Sequence, residues 1–137
     1  MNRRMGSFWT LRVAMVVAAA ALVAVSCNRQ PAAPAIALDA DDVGGVVTGP
    51  KGPEAGVWVI AETGDLPTKF AKIVVTDDQG RYVLPDLPKA NYTVFVRGYG
   101  LVDSAKVTAT PGQTLNLTAV AAPDAKAAAQ YYPAGYW

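Results

Sequence analysis

The sequence predicts an all-β fold, a sandwich or a barrel, for the stretch between Val43 and Val120. Within it, apolar runs of four to eight residues, mostly β-branched or aromatic, are separated by Gly, Pro, Asn and Asp. Turn signals recur about every 8 to 14 residues, a spacing typical of sandwiches and barrels. No long segment of this stretch has the apolar period of a helix. The chain of 137 residues is therefore predicted to contain one folded domain.

Alternating side chains assign faces to the clearest of these runs. In NYTVFVR, Tyr92, Val94 and Val96 share one face, and Phe95 lies on the opposite face. The run GVWVIAE is apolar on both faces, which is typical of a central strand, and its Trp58 is opposed to the valines. In TLNLTAV the two leucines and the alanine take the inner face. Trp58 and Phe95 are therefore expected on a face that points away from the core.

The stretch TDDQGRYVL predicts a turn between two strand-like runs, KIVVT and RYVL. Asp77 and Asp78 begin a short connection that Gly80 closes, as in a β-hairpin whose type I turn is followed by a left-handed residue. A calcium loop of the EF-hand type would need an acid eleven residues after Asp77, where Pro88 stands. A glycosidase pair would need carboxylates about 5 to 10 Å apart across a cleft. Because neighbouring strand residues point to opposite sides, we predict a structural turn without a metal.

Residues 1–26 are predicted to be an export signal. Arg3, Arg4 and Arg12 form a positive segment, and the apolar run VAMVVAAAALVAVSC follows it. That run has 15 residues, fewer than the roughly 20 that a membrane-spanning helix needs. An export signal is therefore favoured over a membrane anchor helix.

The end of the apolar run, AVSC, resembles a bacterial lipobox, in which the cysteine is lipidated. Cys27 is the single cysteine of the chain, so an internal disulfide is excluded. The resemblance implies an exported protein that a lipid on Cys27 holds in the cell envelope, with the membrane as one partner. A plain export signal and an uncleaved membrane helix are the alternatives.

Composition divides the chain into four segments. After the signal of residues 1–26, residues 27–41 are rich in Pro and Ala and are predicted to be an extended tether. Residues 42–121 carry the predicted strands, and residues 122–137 form an Ala-rich spacer and an aromatic tail.

Loss of the signal removes three of twelve basic residues and none of eleven acids, so the net charge becomes about −2. Nucleic acid is excluded as a partner because its phosphates are bound by clustered Lys and Arg.

Short glycine, proline and aromatic motifs follow one another along the domain. Their residues are Gly45, Val46, Val47, Gly56, Val57, Trp58, Val59, Thr76, Asp77, Gly80, Arg81, Tyr82, Leu87, Pro88, Asn91, Tyr92, Gly98 and Tyr99. This order resembles the carboxypeptidase regulatory-like domain, a family with the order G-x-V, G-V-x-V, T-D-x-x-G-x-[FY], L-P-x-G-x-Y and G-[FY]. One departure is the stretch KAN at 89–91, where the family usually has proline and glycine before tyrosine. The resemblance implies a non-catalytic accessory domain with a seven-stranded antiparallel sandwich of the prealbumin (transthyretin) type, related to Cna-B and starch-binding-like modules.

Missing residue types exclude several kinds of catalysis. The chain has no histidine, which excludes Ser-His-Asp and Cys-His chemistry and nearly all catalytic zinc sites. It also has no P-loop, no Rossmann glycine pattern and no CxxC pair. We therefore expect no enzymatic activity and no cofactor.

Aromatic residues supply the candidate binding surface. They are Trp58, Phe95, Tyr99, Tyr131, Tyr132, Tyr136 and Trp137. Exposed rings on a sheet face can stack on sugars or receive a protein; the alternative is that loops or the tail cover them. Asp124 is expected to cap a short helix through Gln130, and the Ala-rich stretch 121–129 to lead away from the core. The expected partners are another protein, a following domain of a larger secreted enzyme or electron-transfer protein, or a polysaccharide.

Overall fold

Two packed β-sheets make up most of the chain that the computed structural model describes, residues 35–132. The elements in chain order are β1 (Val43–Gly49), β2 (Gly52–Pro53), β3 (Trp58–Thr63), β4 (Phe70–Val75), β5 (Arg81–Leu84), β6 (Tyr92–Arg97), β7 (Leu101–Val102), β8 (Val107–Ala109), β9 (Gln113–Thr114), β10 (Leu117–Thr118), β11 (Val120–Ala121) and α1 (Ala125–Ala128). The strands β7 and β11 form a separate two-stranded ribbon. No helix within residues 35–132 has the length and hydropathy to cross a membrane. The predicted all-β sandwich is confirmed.

The first sheet is built around β1. The strands β5 and β2 pair with it in antiparallel direction, and β9 and β10 pair with it in parallel. Gly45 permits the close approach of the chain between β9 and β10, because a Cβ atom there would lie 2.0 Å from the carbonyl oxygen of Leu115. That oxygen accepts a hydrogen bond from the Tyr82 hydroxyl at 2.7 Å. Asn116 Oδ1 accepts from the amide of Val46 at 2.9 Å and so bridges the interval between the two parallel strands.

The second sheet has the strand order β4-β3-β6-β8, and all its pairs are antiparallel. On the central strand β3, Trp58 lies opposite Val75 of β4 and Arg97 of β6. Two residues further along, Ile60 lies opposite Phe95. Because side chains alternate between the faces of a strand, these residues share the outer face of the sheet, which points away from the first sheet.

The core lies between the two sheets. Its members from the main strands are Val43, Val47, Val59, Ala61, Tyr82, Leu84, Tyr92, Val94, Val96 and Leu117. The inner face predicted for β6, with Tyr92, Val94 and Val96, is therefore confirmed. Full burial of one such aliphatic side chain stabilises the folded state by about 1.5 to 3 kcal/mol, so this cluster dominates the stability of the sandwich.

The structure differs from the sequence prediction in its strand pattern. Seven predicted strands become eleven shorter ones, and two pairings with β1 are parallel rather than antiparallel. The hairpin predicted around Gly80 was wrong, since β4 pairs with β3 in one sheet and β5 pairs with β1 in the other. The amide of Thr76 still donates to Val57 of the second sheet, whereas the carbonyl of Gly80 already accepts from Val47 of the first. The turn thus carries the chain from one sheet to the other.

The folded part begins slightly before the predicted boundary at residue 42. The Asp42 carboxylate accepts hydrogen bonds from the amides of Asp39 and Asp86 at 3.0 and 3.2 Å. The amide of Leu87 donates to the carbonyl of Asp41 at 2.8 Å. These bonds fix the entry of the chain at the end of the sandwich where β1 begins and β5 ends.

Candidate functional site

The segment after β10 folds back onto the sandwich. Ala121 pairs with β7, and the amide of Ala122 donates to the carbonyl of Gly100 at 2.9 Å. The helix α1 then begins at its N-cap Asp124, whose Oδ1 accepts from the amide of Ala127 at 2.8 Å. The cap predicted from the sequence is therefore confirmed.

The helix ends at Ala128 rather than at Gln130 as predicted, and its end positions the tail. Ala128 is 1% exposed, and α1 packs beside β7. The carbonyl of Ala128 accepts from the amides of Tyr131 and Tyr132 at 3.1 and 3.2 Å. The interpretation of stretch 121–129 as a spacer leading away from the core was wrong. The small side chains of its alanines instead allow strand pairing and close packing.

Three rings form an aromatic cluster, Trp58, Tyr99 and Tyr132, at the end of the second sheet where β3 begins. The centroid of Tyr132 lies 5.1 Å from that of Trp58 at an interplanar angle of 36°. It lies 6.4 Å from that of Tyr99, in an edge-to-face arrangement at 86°. Such pairs contribute about 0.5 to 1.5 kcal/mol each beyond their buried area. Tyr132 therefore holds the tail on the outer face, while Tyr99 stays 66% exposed and the neighbouring Tyr131 is 38% exposed.

Phe95 lies on the outer face, as predicted, but is only 2% exposed. The Nζ of Lys106 lies 5.0 Å from its ring centroid, and the Cζ of Arg97 lies 5.6 Å away. Arg97 is held in place by two hydrogen bonds of 2.7 Å to the carboxylate of Asp103. These bonds also raise the pKa of the Arg97 guanidinium, which remains charged. Other side chains therefore cover the ring of Phe95, which is the alternative to an exposed ring. Trp58 and Phe95 do not form an open platform for sugars.

The residues of the predicted turn contact mainly one another. Asp77 Oδ1 accepts from the amides of Gln79 and Arg81 at 2.9 and 2.8 Å, and Oδ2 accepts from Arg81 Nε at 2.7 Å. The bond from the Arg81 amide, followed by its side chain and the Gln79 amide, holds the pKa of Asp77 below its usual value. Gly80 has a φ of +72°, and a Cβ there would lie 2.5 Å from a carbonyl oxygen of β1. Asp78 is exposed and has no hydrogen bond among the described residues. These contacts are those of a structural turn.

A groove of about 770 Å³ lies at the opposite end of the second sheet from the aromatic cluster. Its lining includes Glu62, Asp65, Lys69, Phe70, Asn91, Thr93, Lys106 and Thr108. Asp65 Oδ2 accepts from the amide and the Nδ2 of Asn91 at 3.2 and 3.1 Å, which joins two loops across the groove. Two acids and two lysines balance each other, so the groove suits a neutral ligand that offers hydroxyl groups. Sequence analysis missed this groove because Asp65 and Asn91 are 26 positions apart and no local motif links them.

The remaining predicted site residues, Cys27, Tyr136 and Trp137, lie outside the described residues. Within residues 35–132, no group of three or more His, Cys, Asp or Glu side chains is placed to hold a metal ion. The fold defines a class of protein, a small β-sandwich module built from two packed sheets.

The family follows from comparison with known proteins. Residues 42–122, more than half of the chain, match the family model of the carboxypeptidase regulatory-like domain. The chain therefore belongs to the carboxypeptidase regulatory-like domain family, as its motifs predict, and this domain is a non-catalytic β-sandwich module. A comparison with curated proteins found no match.

Proposed function

We propose that this chain is an exported accessory module of the cell envelope, without enzymatic activity, that is anchored by a lipid on Cys27 and binds a protein partner. The observation that carries the proposal is that a non-catalytic family domain spans residues 42–122, directly after a lipobox-like stretch and a Pro/Ala-rich segment. A module of this kind acts by holding or recognising another molecule near the membrane.

The segment between the anchor and the domain suits this role. Residues 28–41 contain two prolines, and Pro-rich linkers extend by about 3 Å per residue. Such a tether would hold the domain at most about 40 Å from the lipid. The structure describes the end of this segment, where the bonds of Asp42 fix the chain to the sandwich.

The partner surface in this proposal is the aromatic cluster together with Tyr131. Tyr99 is 66% exposed although it is a large ring, and Tyr131 is a second exposed ring beside it. Tyrosine and tryptophan dominate the binding energy of many protein interfaces because they bury a large area and lose little rotamer freedom. The ring of Tyr132 contacts those of both Trp58 and Tyr99, so the three rings form one continuous surface.

The anchor is tested by metabolic labelling of the full chain with a palmitate analogue. We expect label on the wild type and none on Cys27→Ser. A matched control places a thiol elsewhere, as Thr110→Cys in the Cys27→Ser background, and should also stay unlabelled. Equal labelling of wild type and Cys27→Ser would refute the anchor.

The partner surface is tested by a photoreactive phenylalanine analogue at position 99 in cells. Illumination should join the chain to a different polypeptide, visible as an adduct of defined larger mass. The control position is Thr118, which is exposed on β10 of the other sheet. Adducts that are equally abundant from both positions, or absent from position 99, would contradict the proposed surface.

The groove favours a second candidate function, binding of a neutral polysaccharide. It combines hydroxyl and amide groups with the half-buried ring of Phe70, which are the groups that sugar recognition uses. Titration with a panel of neutral oligosaccharides should shift the amide NMR signals of Asn91 and Thr93 and leave that of Tyr99 unchanged. Asn91→Ala should abolish the shift of Thr93, and a panel that moves no groove signal would remove this candidate.

A further inference from the structure

The strand β4 is an open edge of the second sheet. Among residues 35–132 it pairs only with β3, whereas the other edge strand of that sheet, β8, has three residues against six in β4. Three small or aliphatic side chains of β4 point outward: Ala71 is exposed, and Ile73 and Val75 are 53% and 57% exposed. An exposed apolar edge strand of this length is a template for another strand, and short edges are one device that prevents such pairing.

The backbone of β4 has donors and acceptors ready on its open side. The amide of Thr76 donates to Val57, and its carbonyl accepts from Gly56, so both backbone groups of Thr76 point towards the preceding strand β3. Because backbone groups of successive residues point to opposite edges, the amides and carbonyls of Ala71, Ile73 and Val75 point away from β3. Within the described residues, no hydrogen bond reaches these groups.

The one charged side chain in the middle of β4 leaves this edge clear. Inward-pointing lysines on edge strands commonly block pairing, because an added strand would deprive their charge of a partner. Lys72 does point to the inner side of the sheet, but its Nζ already donates to the carbonyl of Pro85, which follows β5. Its ammonium therefore keeps a hydrogen-bond partner when a strand is added beside β4.

The sequence of β4 is complementary to itself in antiparallel direction. If Ile73 lies opposite Ile73 of a second copy, Ala71 lies opposite Val75, and Lys69 lies opposite Asp77. The residues that face each other are then those whose backbone groups point outward, as hydrogen-bonded pairs require. The basic start of each strand would also meet the acidic turn of the other, where Asp78 adds a second negative charge.

We propose that β4 pairs with β4 of a second copy of this chain, with Ile73 on the two-fold axis, so that two four-stranded sheets join into one of eight strands. The pairing gives hydrogen-bond partners to the outward amides and carbonyls of β4. It also brings the exposed side chains of Ala71, Ile73 and Val75 against those of the second copy. It depends neither on the lipid anchor nor on a partner at the aromatic cluster, which lies on other residues.

The first test is the mass of the full chain in detergent, measured by sedimentation equilibrium. We expect a reversible dimer for the wild type and a dissociation constant at least about tenfold higher for Ile73→Asp, because two carboxylates then meet at the axis. Val120→Asp is the matched control, since Val120, like Ile73, is an exposed β-branched residue of a strand, but it lies on β11. A monomeric wild type, or an equal loss in both variants, would overturn the proposal.

Charge reversal tests the orientation of the two strands. Lys69→Glu and Asp78→Lys should each weaken the dimer, and the double variant should recover most of the wild-type affinity. Both residues are exposed, so neither change disturbs the core. If the double variant instead lost as much dimer affinity as the two single variants together, the antiparallel arrangement would be excluded.

Disulfide trapping tests the register, in a Cys27→Ser background that removes the native thiol. Opposite residues of a hydrogen-bonded pair have Cα atoms about 5.5 Å apart, within the range of a disulfide. Ile73→Cys should therefore form a cross-linked dimer on mild oxidation. Ala71→Cys and Val75→Cys should cross-link to each other when mixed but not alone, because like positions lie about 14 Å apart. Efficient cross-linking of Ala71→Cys alone would show that the register is wrong.

Discussion

The outer face of the second sheet has a covered centre and a bare edge. At the centre, Ile60 and Phe95 are almost fully buried although the described part of the chain places no further sheet above them. At the edge, Ile73 is directly opposite Ile60 in the ladder, yet about half of its surface is exposed. The two isoleucines have the same chemistry and the same secondary structure. On the outer face, Lys106 and Arg97 lie over Phe95 and Tyr132 contacts Trp58, whereas Ile73 of β4 stays exposed.

The largest expected effect comes from removing the ring at the covered centre. Phe95→Ala should lower the free energy of unfolding by about 3 to 5 kcal/mol, because the ring is 2% exposed and its removal takes a large apolar side chain out of a buried position. Urea unfolding measures the change, with Phe95→Leu as a control that keeps most of the volume. A loss below about 1 kcal/mol would mean that the centre is no better covered than the edge.

The tail contact should have an intermediate effect. Tyr132→Ala removes two ring contacts and should lower the unfolding free energy by about 1 to 2 kcal/mol. The indole N–H signal of Trp58 should shift at the same time. Tyr131→Ala, which changes the adjacent ring, serves as the control and should leave that signal in place. If both variants behaved alike, the cover at this end would not depend on Tyr132.

The turn at the end of β4 should show a small effect that depends on pH. Since the folded state lowers the pKa of Asp77 from 3.8, the ionised carboxylate stabilises the fold above that pH, and the contribution disappears as pH falls through the lower folded value. Asp77→Asn keeps an oxygen acceptor but lacks the charge. The stability difference between wild type and variant should therefore be constant near neutral pH and shrink below pH 3.8. A difference that grows on acidification would contradict this sign.

The smallest effect is expected at the bare edge. Ile73→Ala should change the unfolding free energy of the monomer by no more than about 0.5 kcal/mol, as most exposed substitutions do. The measurement requires low protein concentration so that association does not contribute. Ile60→Ala, across the ladder, is the matched comparison and should cost about 2 to 5 kcal/mol. Equal costs at the two positions would remove the distinction between centre and edge.

The sequence was informative where local pattern decides the structure. The alternation of NYTVFVR predicted which side chains of β6 face the core, and Asp77 with Gly80 predicted a turn that the hydrogen bonds of Asp77 form. It did not predict which strands the turn connects, since the same turn can close a hairpin or pass between sheets. That choice depends on the hydrogen bonds that join Gly80 to Val47 and Thr76 to Val57. Both valines are far from the turn in the sequence.

The candidate site was harder to predict because its cover is not local. Phe95 has the spacing of an outward residue, and only the positions of Lys106 and Arg97 show that its ring is buried. Likewise, the alanines of 121–129 have no apolar period, so nothing in their order indicates that the chain returns to β7. The role of Asn116 could not be predicted either. Its side chain accepts a hydrogen bond from the amide of Val46 in place of a backbone carbonyl, and no sequence motif indicates such a replacement.

The parallel pairing of β1 with β9 and β10 gives the sandwich a mechanical property. The chain enters at the start of β1, near Asp42, and passes beyond β10 at the opposite end of these strands. Tension between these two points would therefore slide the strands along each other. The bonds from Leu115 to Gly44, from Ala119 to Thr48 and from Val46 to Asn116 would be strained together rather than opened one after another. A module held at one end and pulled at the other would thus resist extension in shear, and its lifetime under load would depend on the rate of this one step.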